Sequence, residues 1–431
     1  MSNPSDSRPA GSVVLFTNGD TSFEFFRDLG EGRVGERILL AQTRTPRGLG
    51  ECVVLKCLPL PKAAEATEKY QRTRIRLEEE VRLAQYLRHP SIARVHGLFE
   101  SEMGLCVAME NVEGLSLNTL LAVAQARGRY FSEAFILYVG AEVAAALAYA
   151  HACTDDAGFA LGIVNRDVNP ARIRLGPHGE VRLTDFGVAL SRLSGRLATS
   201  LPRPQGEVLY SAPEVLLGEV VDARADLFSL GLTLLEFATG RHLYDPGHVR
   251  IEEVEARLSK EARQQALAAS VASMVTELPS FAEDAIWCAM AYGSEDVEHA
   301  AQGLSVPLRD ILHTLLRRNP AERFGTAAEL ELVLRSQLAR LGGYTREEAL
   351  QEAQHALGEA SEGLWDFELP SDEGGITPPV TQVWSRSEPT TDSASPRGAR
   401  RASFDSRNPD DVPTEPGAGP RRRTLSKQPT A

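Results

Sequence analysis

The chain has 431 residues, 42% of them hydrophobic and 24% charged, a composition that supports a folded core and a length that suggests about two or three units. Its formal net charge of −13 argues against binding to nucleic acid or an anionic membrane, because both reward cationic surfaces. Five scattered cysteines (Cys52, Cys57, Cys106, Cys153 and Cys288) include no C-x-x-C pair, so neither a disulfide framework nor a zinc site is expected, and a reducing cytoplasm fits.

Residues 1–22 read as a polar lead-in, with no apolar run behind a basic start to suggest a secretory signal. From Phe23 to about Glu110, short β-branched runs separated by Gly and Pro predict strands at Arg37–Ala41, Glu51–Leu58 and Gly104–Met109. One helical pattern interrupts them, Ala64 to Leu87, with Leu77, Val81, Ala84 and Leu87 on one face. From Leu117 to about Arg340 helical periodicity dominates, as in Ser132–Ala152, Ala225–Thr239 and Leu308–Arg317. The apolar stretch Ala134 to Cys153 contains Glu142 and many alanines. It reads as a buried core helix rather than a membrane span, which needs ~20 mostly apolar residues. A small strand-rich unit followed by a larger helical one predicts an α+β, two-lobed arrangement. Beyond Gly342, Thr345 to Leu357 reads as an acidic amphipathic helix. From Pro370 to Ala431, Pro, Ser, Thr, Gly and Arg leave little to bury, and disorder is expected.

Several short motifs fall in a particular order. Gly30-Glu31-Gly32-Arg33-Val34-Gly35 is a G-x-G-x-x-G set between two predicted strands, which disfavours a dinucleotide fingerprint and favours a loop over phosphates. Val53-Val54-Leu55-Lys56 places a lysine in an apolar strand, where it needs a carboxylate partner. Glu80, nine residues before His89-Pro90, is the preferred partner over Glu78 and Glu79, which read as a solvated charge run. Gly162-Ile163-Val164-Asn165-Arg166-Asp167-Val168-Asn169-Pro170 comes next, and Asp185-Phe186-Gly187 follows the strand Val181-Arg182-Leu183. Ala212-Pro213-Glu214, Asp222-Ala223-Arg224-Ala225-Asp226 and Asn319-Pro320-Ala321-Glu322-Arg323 complete the series.

In order and spacing these motifs resemble those of the bacterial Ser/Thr protein kinases of the eukaryotic-like (Hanks) type, over roughly Phe23 to Arg340. The resemblance implies a kinase domain at 23–340, with an N-lobe of about 23–112, a C-lobe of about 113–340, and a mostly disordered tail at 343–431. A five-stranded small lobe would join a helical large lobe near Glu113-Gly114, with Lys56, Asp167 and Asp185 in the cleft between them.

It further implies the cofactors ATP and Mg²⁺ and a protein substrate. Gly30, Gly32 and Gly35 would cover the phosphates, while Lys56, oriented by Glu80, would hold them. Asp185 would ligate the metal and Asp167 would accept the substrate hydroxyl's proton. Val54, the gatekeeper Met109 and the hinge from Glu110 to Val112 would surround adenine. Asp226 would brace the catalytic loop, and Glu214 and Arg323 would form a buried ion pair.

The chain also departs from that pattern. Arg172 stands where an asparagine binds the second metal, and a guanidinium, having no acceptor, cannot ligate one. Asn169 replaces the catalytic-loop lysine, Asn165 the histidine under Phe186, and Glu207 a threonine. In the adenine pocket Val54 replaces alanine, Arg174 stands at the leucine floor, and Arg37 falls on the roof position unless a one-residue slip puts Ile38 there. Two functions stay open: a working cytoplasmic Ser/Thr kinase, or a kinase-shaped signalling module with weakened or absent transfer. A small-molecule kinase is disfavoured by the A-P-E segment, which builds a peptide platform. In the tail, Arg400-Arg401-Ala402-Ser403 and Arg421-Arg422-Arg423-Thr424 resemble sites of basophilic kinases, and Ser403 is expected to be phosphorylated by another kinase.

Overall fold

The computed structural model describes residues 13–32, 35–61, 67–193, 206–244, 251–275 and 281–363. The basic tail clusters and Ser403 lie outside them. The N-terminal sheet is built from β1 (Val14–Asn18), β2 (Thr21–Glu31), β3 (Arg37–Thr45) and β4 (Gly48–Leu58), then, after helix α1 (Thr67–Ala84), β5 (Val95–Ser101) and β6 (Gly104–Glu110). It has six strands in the order β1-β2-β3-β4-β6-β5, not the five expected. The extra edge strand, β1, lies in the stretch read as a polar lead-in. Phe16 on β1 stacks on Phe23 of β2 at 4.5 Å and, with Leu15, packs against the sheet's core, which ties this strand to the sheet.

Every neighbouring strand pair is antiparallel, so side chains alternate between two faces. On one face Phe23, Leu39, Ala41, Val53, Leu55, Cys57, Cys106 and Ala108 form a core. On the other, Leu29, Ile38 and Leu40 cluster with Cys52 and Val54. Cys57 and Cys106 are register partners on β4 and β6 and are joined by a disulfide, with their Cα atoms 4.1 Å apart. This corrects the expectation of unpaired cysteines. Residues 49 apart in sequence become neighbours only through strand pairing, which the cysteine spacing does not reveal.

The short β7 (Leu115–Ser116) leads into α2 (Leu117–Ala126) and α3 (Glu133–Ala152), and β7 pairs with the hairpin β8 (Ile173–Leu175) and β9 (Val181–Leu183). Ser116 and Ser132 cap α2 and α3 by accepting from Thr119 N and Phe135 N. By length and composition alone α3 is apolar enough to cross a membrane, but 67% of its apolar window is buried within the fold. It is the core helix that the alanine-rich stretch predicted.

After α4 (Pro213–Leu216), the helix α5 (Arg224–Thr239) runs through the centre of the C-terminal lobe, where Phe228, Leu230, Leu234 and Phe237 are fully enclosed. Around it lie α6 (Ile251–Ala256), α7 (Lys260–Val275), α8 (Ala282–Ala291), α9 (Ser294–Ala300), α10 (Val306–Leu315) and α11 (Ala327–Arg340). The acidic piece beyond Gly342 forms α12 (Arg346–Gly363), whose buried Ala349, Ala353, Ala356 and Ala360 let it lie close to its neighbours. Glu359 pairs with Arg127 Nη1 at 2.9 Å and Arg129 Nη2 at 2.8 Å. Glu352 accepts from Ser132 N at 2.6 Å and from the Tyr344 hydroxyl at 2.6 Å. The folded part of the chain therefore continues past Arg340.

One buried acid on α5 gives a pH-dependent prediction. Burial pushes the Glu236 carboxyl up to about 7, from an ordinary 4.5, although the Tyr210 hydroxyl donates to it. A raised value in the folded state means the folded chain holds the proton more tightly than the unfolded one. The stabilisation is complete below the unfolded value and is lost as pH rises toward the folded one. Glu236→Gln, which keeps an acceptor for Tyr210 but cannot ionise, is expected to match wild type near about pH 5 and to exceed it by about 3 kcal/mol near about pH 8. Urea unfolding at the two pH values checks this.

Candidate active site

The cleft between the lobes gathers the residues that the motifs singled out. Lys56 on β4 reaches Glu80 on α1, with Nζ–Oε distances of 3.0 and 3.2 Å, and also Asp185 Oδ1 at 3.5 Å. Burial alone would lower the Lys56 ammonium, but the Asp185, Glu80 and Glu36 carboxylates together hold it above the ordinary lysine value. Glu80 was the right choice within its run: Glu78 pairs instead with Arg74, at 2.8 Å on the helix surface.

Asp226 on α5 is fully buried and accepts from Asn165 N and Arg166 N, both at 2.8 Å, and sits 2.8 Å from His151 Nε2. It braces the catalytic loop as the resemblance implied. Among the described residues, only Arg166 and Asp185 are non-glycine positions with positive φ, at 65° and 62°. Such conformations persist only where neighbours over-determine them. Asn165 supplies part of that here: its Nδ2 donates to Asp185 O at 3.1 Å and its Oδ1 accepts from Asp167 N at 2.9 Å. The residue that replaced a histidine thus ties the two loops together.

The Asp167 carboxylate is enclosed. Its Oδ1 accepts from Asn169 Nδ2 at 3.0 Å and from Glu207 N at 2.9 Å, while Oδ2 accepts from Arg172 Nε at 2.9 Å. Arg172 also reaches Asp185 Oδ2 at 3.3 Å, so one buried guanidinium bridges both acids. The backbone at Gly206 passes so close to the Arg166 carbonyl that a Cβ there would collide with it. The chain at Gly206 and Glu207 is therefore seated directly on the loop that carries Asp167.

This arrangement does not fit a bound Mg²⁺. The position that would offer an amide oxygen offers a cation, and Asp185, the carboxylate that would ligate the ion, already faces Arg172. Among the described residues no group of three or more His, Cys, Asp or Glu side chains could hold a metal.

The adenine side departs from expectation in one respect. Arg37 is not the roof: its partner across the ladder is Cys57, on the face away from the cleft, and its side chain is 56% exposed and paired with Asp28. Ile38, opposite Lys56 and buried, takes that place. Irregular β2–β3 register between Asp28 and Gly30 is the physical origin of the one-residue slip. Val54 lies opposite Met109 and packs against the Leu29–Ile38–Leu40 cluster, while Val53 beside it pairs with Glu110 of the hinge. The Glu110 side chain accepts from Arg182 Nη2 at 2.6 Å and from Arg94 N at 2.9 Å. Arg174, at the floor position, donates to Gly114 O at 2.6 Å.

Sequence reasoning overlooked Glu36. It lies between Gly35 and Arg37 and is 7% exposed. Its Oε2 packs against Gly32, 2.5 Å from where a Cβ would sit, and its carbonyl accepts from Gly32 N at 2.6 Å. The signal available was a carboxylate inside a loop whose family role is to cover phosphates.

A strand-rich lobe and a helical lobe around a lysine–glutamate pair and two loop aspartates are the architecture of the protein kinase fold. The comparisons agree: the protein kinase domain family matches residues 23–333, and the chain belongs to that family. It is 31% identical over 300 residues to the tyrosine-protein kinase MasK of Myxococcus xanthus, covering 69% of this chain and 44% of that one. It is 30% identical over 324 residues to the serine/threonine-protein kinase PknJ of Mycobacterium tuberculosis, covering 74% and 45%. Aurora kinase A-B of Xenopus laevis is 29% identical over 238 residues, covering 55% of this chain and 52% of that kinase. The chain spans less than half the length of the two bacterial relatives.

Proposed function

We propose that this protein is a signalling member of the Ser/Thr protein kinase type whose phosphoryl transfer is weakened or lost. The observation that carries this reading is the saturation of Asp167 by Asn169, Glu207 and Arg172. A carboxylate already holding three donors has little capacity left for a substrate hydroxyl. The expectation of a reducing cytoplasm rested on unpaired cysteines, and the buried Cys57–Cys106 bond removes that support.

The test is turnover of the purified full chain with labelled ATP and a generic Ser/Thr substrate. We expect a rate below roughly 0.01 s⁻¹, against about 1–100 s⁻¹ for ordinary kinases. A rate in the ordinary range that Asp167→Ala abolishes would instead mark a working kinase. A second reading, a kinase-shaped docking module with no transfer at all, is favoured by the Lys56–Glu80–Asp185 cluster, which Arg172 completes from within the chain.

A further inference from the structure

A second cavity lies within the helical lobe and shares no residue with the cleft around Lys56. Its volume is about 600 Å³, inside the range of small-ligand sites. Pro213 and Leu217 line it from the start of α4 and from just past its end, and Leu316 lines it from the end of α10. Met290 of α8 and Val297 of α9 extend the apolar lining. The described residues of 241–305, which make none of the cleft contacts given above, thus supply part of this wall.

Most polar groups around the cavity already have partners. Glu214 holds Arg323, Glu219 accepts from Gln265 Nε2 at 2.6 Å, and Glu322 accepts from Asn319 Nδ2 at 3.3 Å. His313 Nε2 sits 2.9 Å from Glu298. Arg318 donates to Tyr292 O at 2.6 Å, and its guanidinium lies 5.1 Å from the centre of the Tyr292 ring, over one face. Two lining groups are left over. Among the described residues, neither the Arg317 guanidinium nor the Ser294 hydroxyl has a partner. Both residues are exposed, so they stand where the cavity meets solvent.

A guanidinium only donates, and its paired N–H groups match a carboxylate best. The remaining lining is mostly aliphatic, and the Tyr292 ring has one face already covered, so a flexible alkyl chain suits it better than a flat ring. Glu219 and Glu322 also line the cavity, and a ligand with several negative charges would meet them as well as Arg317.

We propose that this cavity is a second ligand site, taking an aliphatic monocarboxylate whose carboxylate meets Arg317 and Ser294 and whose chain lies against Leu217, Met290, Val297 and Leu316. The site stands apart from the reading of the cleft. It adjoins the Glu214–Arg323 pair, since Pro213 and Glu214 both line it. A ligand held there by the folded chain alone raises the thermal midpoint.

Isothermal titration of the full chain with sodium decanoate, kept below its micelle range, tests the site. One decanoate should bind per chain, with a Kd below about 1 mM. Arg317→Gln should weaken it by about ten-fold or more through loss of the charge-assisted pair, and Ser294→Ala by roughly three-fold. Decanol, which has the chain without the charge, should bind wild type at least about ten-fold more weakly. Acetate, which has the charge without the chain, should not bind measurably. Decanoate should raise the thermal midpoint of wild type and not that of Arg317→Gln at the same concentration. Because both side chains are exposed and unpartnered, each variant without ligand should melt with wild type, which separates lost binding from lost folding. Decanoate that does not bind, that binds in several copies per chain, or that binds both variants as tightly as wild type overturns the proposal. So does decanol binding as tightly as decanoate.

Discussion

Protein carrying Arg172→Asn together with Asn169→Lys is expected to phosphorylate a generic Ser/Thr substrate about 10²–10³-fold faster than wild type. It should do so only with Mg²⁺. In wild type the Arg172 guanidinium lies 2.9 Å from Asp167 and 3.3 Å from Asp185, and those two carboxylates hold it above even the ordinary arginine value despite burial. It stays charged at every accessible pH. Asparagine removes that cation, releases one oxygen of each aspartate and adds a carbonyl oxygen able to ligate a metal. Lysine at 169 restores a cation facing the transferred phosphate. The exchange also has a cost: Asn169 caps the turn at Pro170–Arg172 by accepting from Ala171 N at 3.0 Å, and losing such a cap costs about 1 kcal/mol. Faster transfer combined with slightly lower stability is therefore the expected signature. Initial rates with and without EDTA check it, and a double variant no faster than wild type would mean that Arg172 is not what holds transfer back.

The sequence disclosed the fold because the motifs that define it are local and ordered. Lys56 meets Glu80, Asp226 meets the loop at Asn165 and Arg166, and Glu214 meets Arg323, as the resemblance implied. Features that depend on long-range pairing or on register were less legible. Cys57 and Cys106 look unrelated until β4 and β6 pair. Arg37 was placed in the cleft because one added residue in an irregular loop turns the next side chain to the opposite face. Glu36 went unnoticed because a charge in a Gly-rich loop is ordinarily solvated. The first strand was missed because its apolar run, Val14, Leu15 and Phe16, is short and lies within an otherwise polar lead-in. The enclosure of Asp167 could not be read from residue types either, since one of its donors is the backbone N–H of Glu207.

Removing Glu214 is expected to cost about 3–5 kcal/mol of folding stability, the penalty for leaving a buried charge without its partner. Glu214 on α4 receives two parallel bonds from Arg323, at 2.6 and 2.8 Å, and the two side chains are 3% and 0% exposed. The guanidinium also donates to the carbonyls of Arg317, Arg318 and Arg224 and lies 4.7 Å above the ring of Phe228. In Glu214→Ala that charge keeps its carbonyls but loses its only acid in this network, while the helix that ends the activation segment loses its anchor to the α5 side of the lobe. Arg323→Met should cost as much or more, because it leaves three carbonyls and one carboxylate without their donor. The double variant Glu214→Ala, Arg323→Met should lose clearly less than the sum of the two single changes, since neither charge then remains buried alone. Urea unfolding of the four proteins yields the coupling. Strict additivity would mean that the pair contributes no more than a surface contact, and that the segment over Asp167 is held by something else.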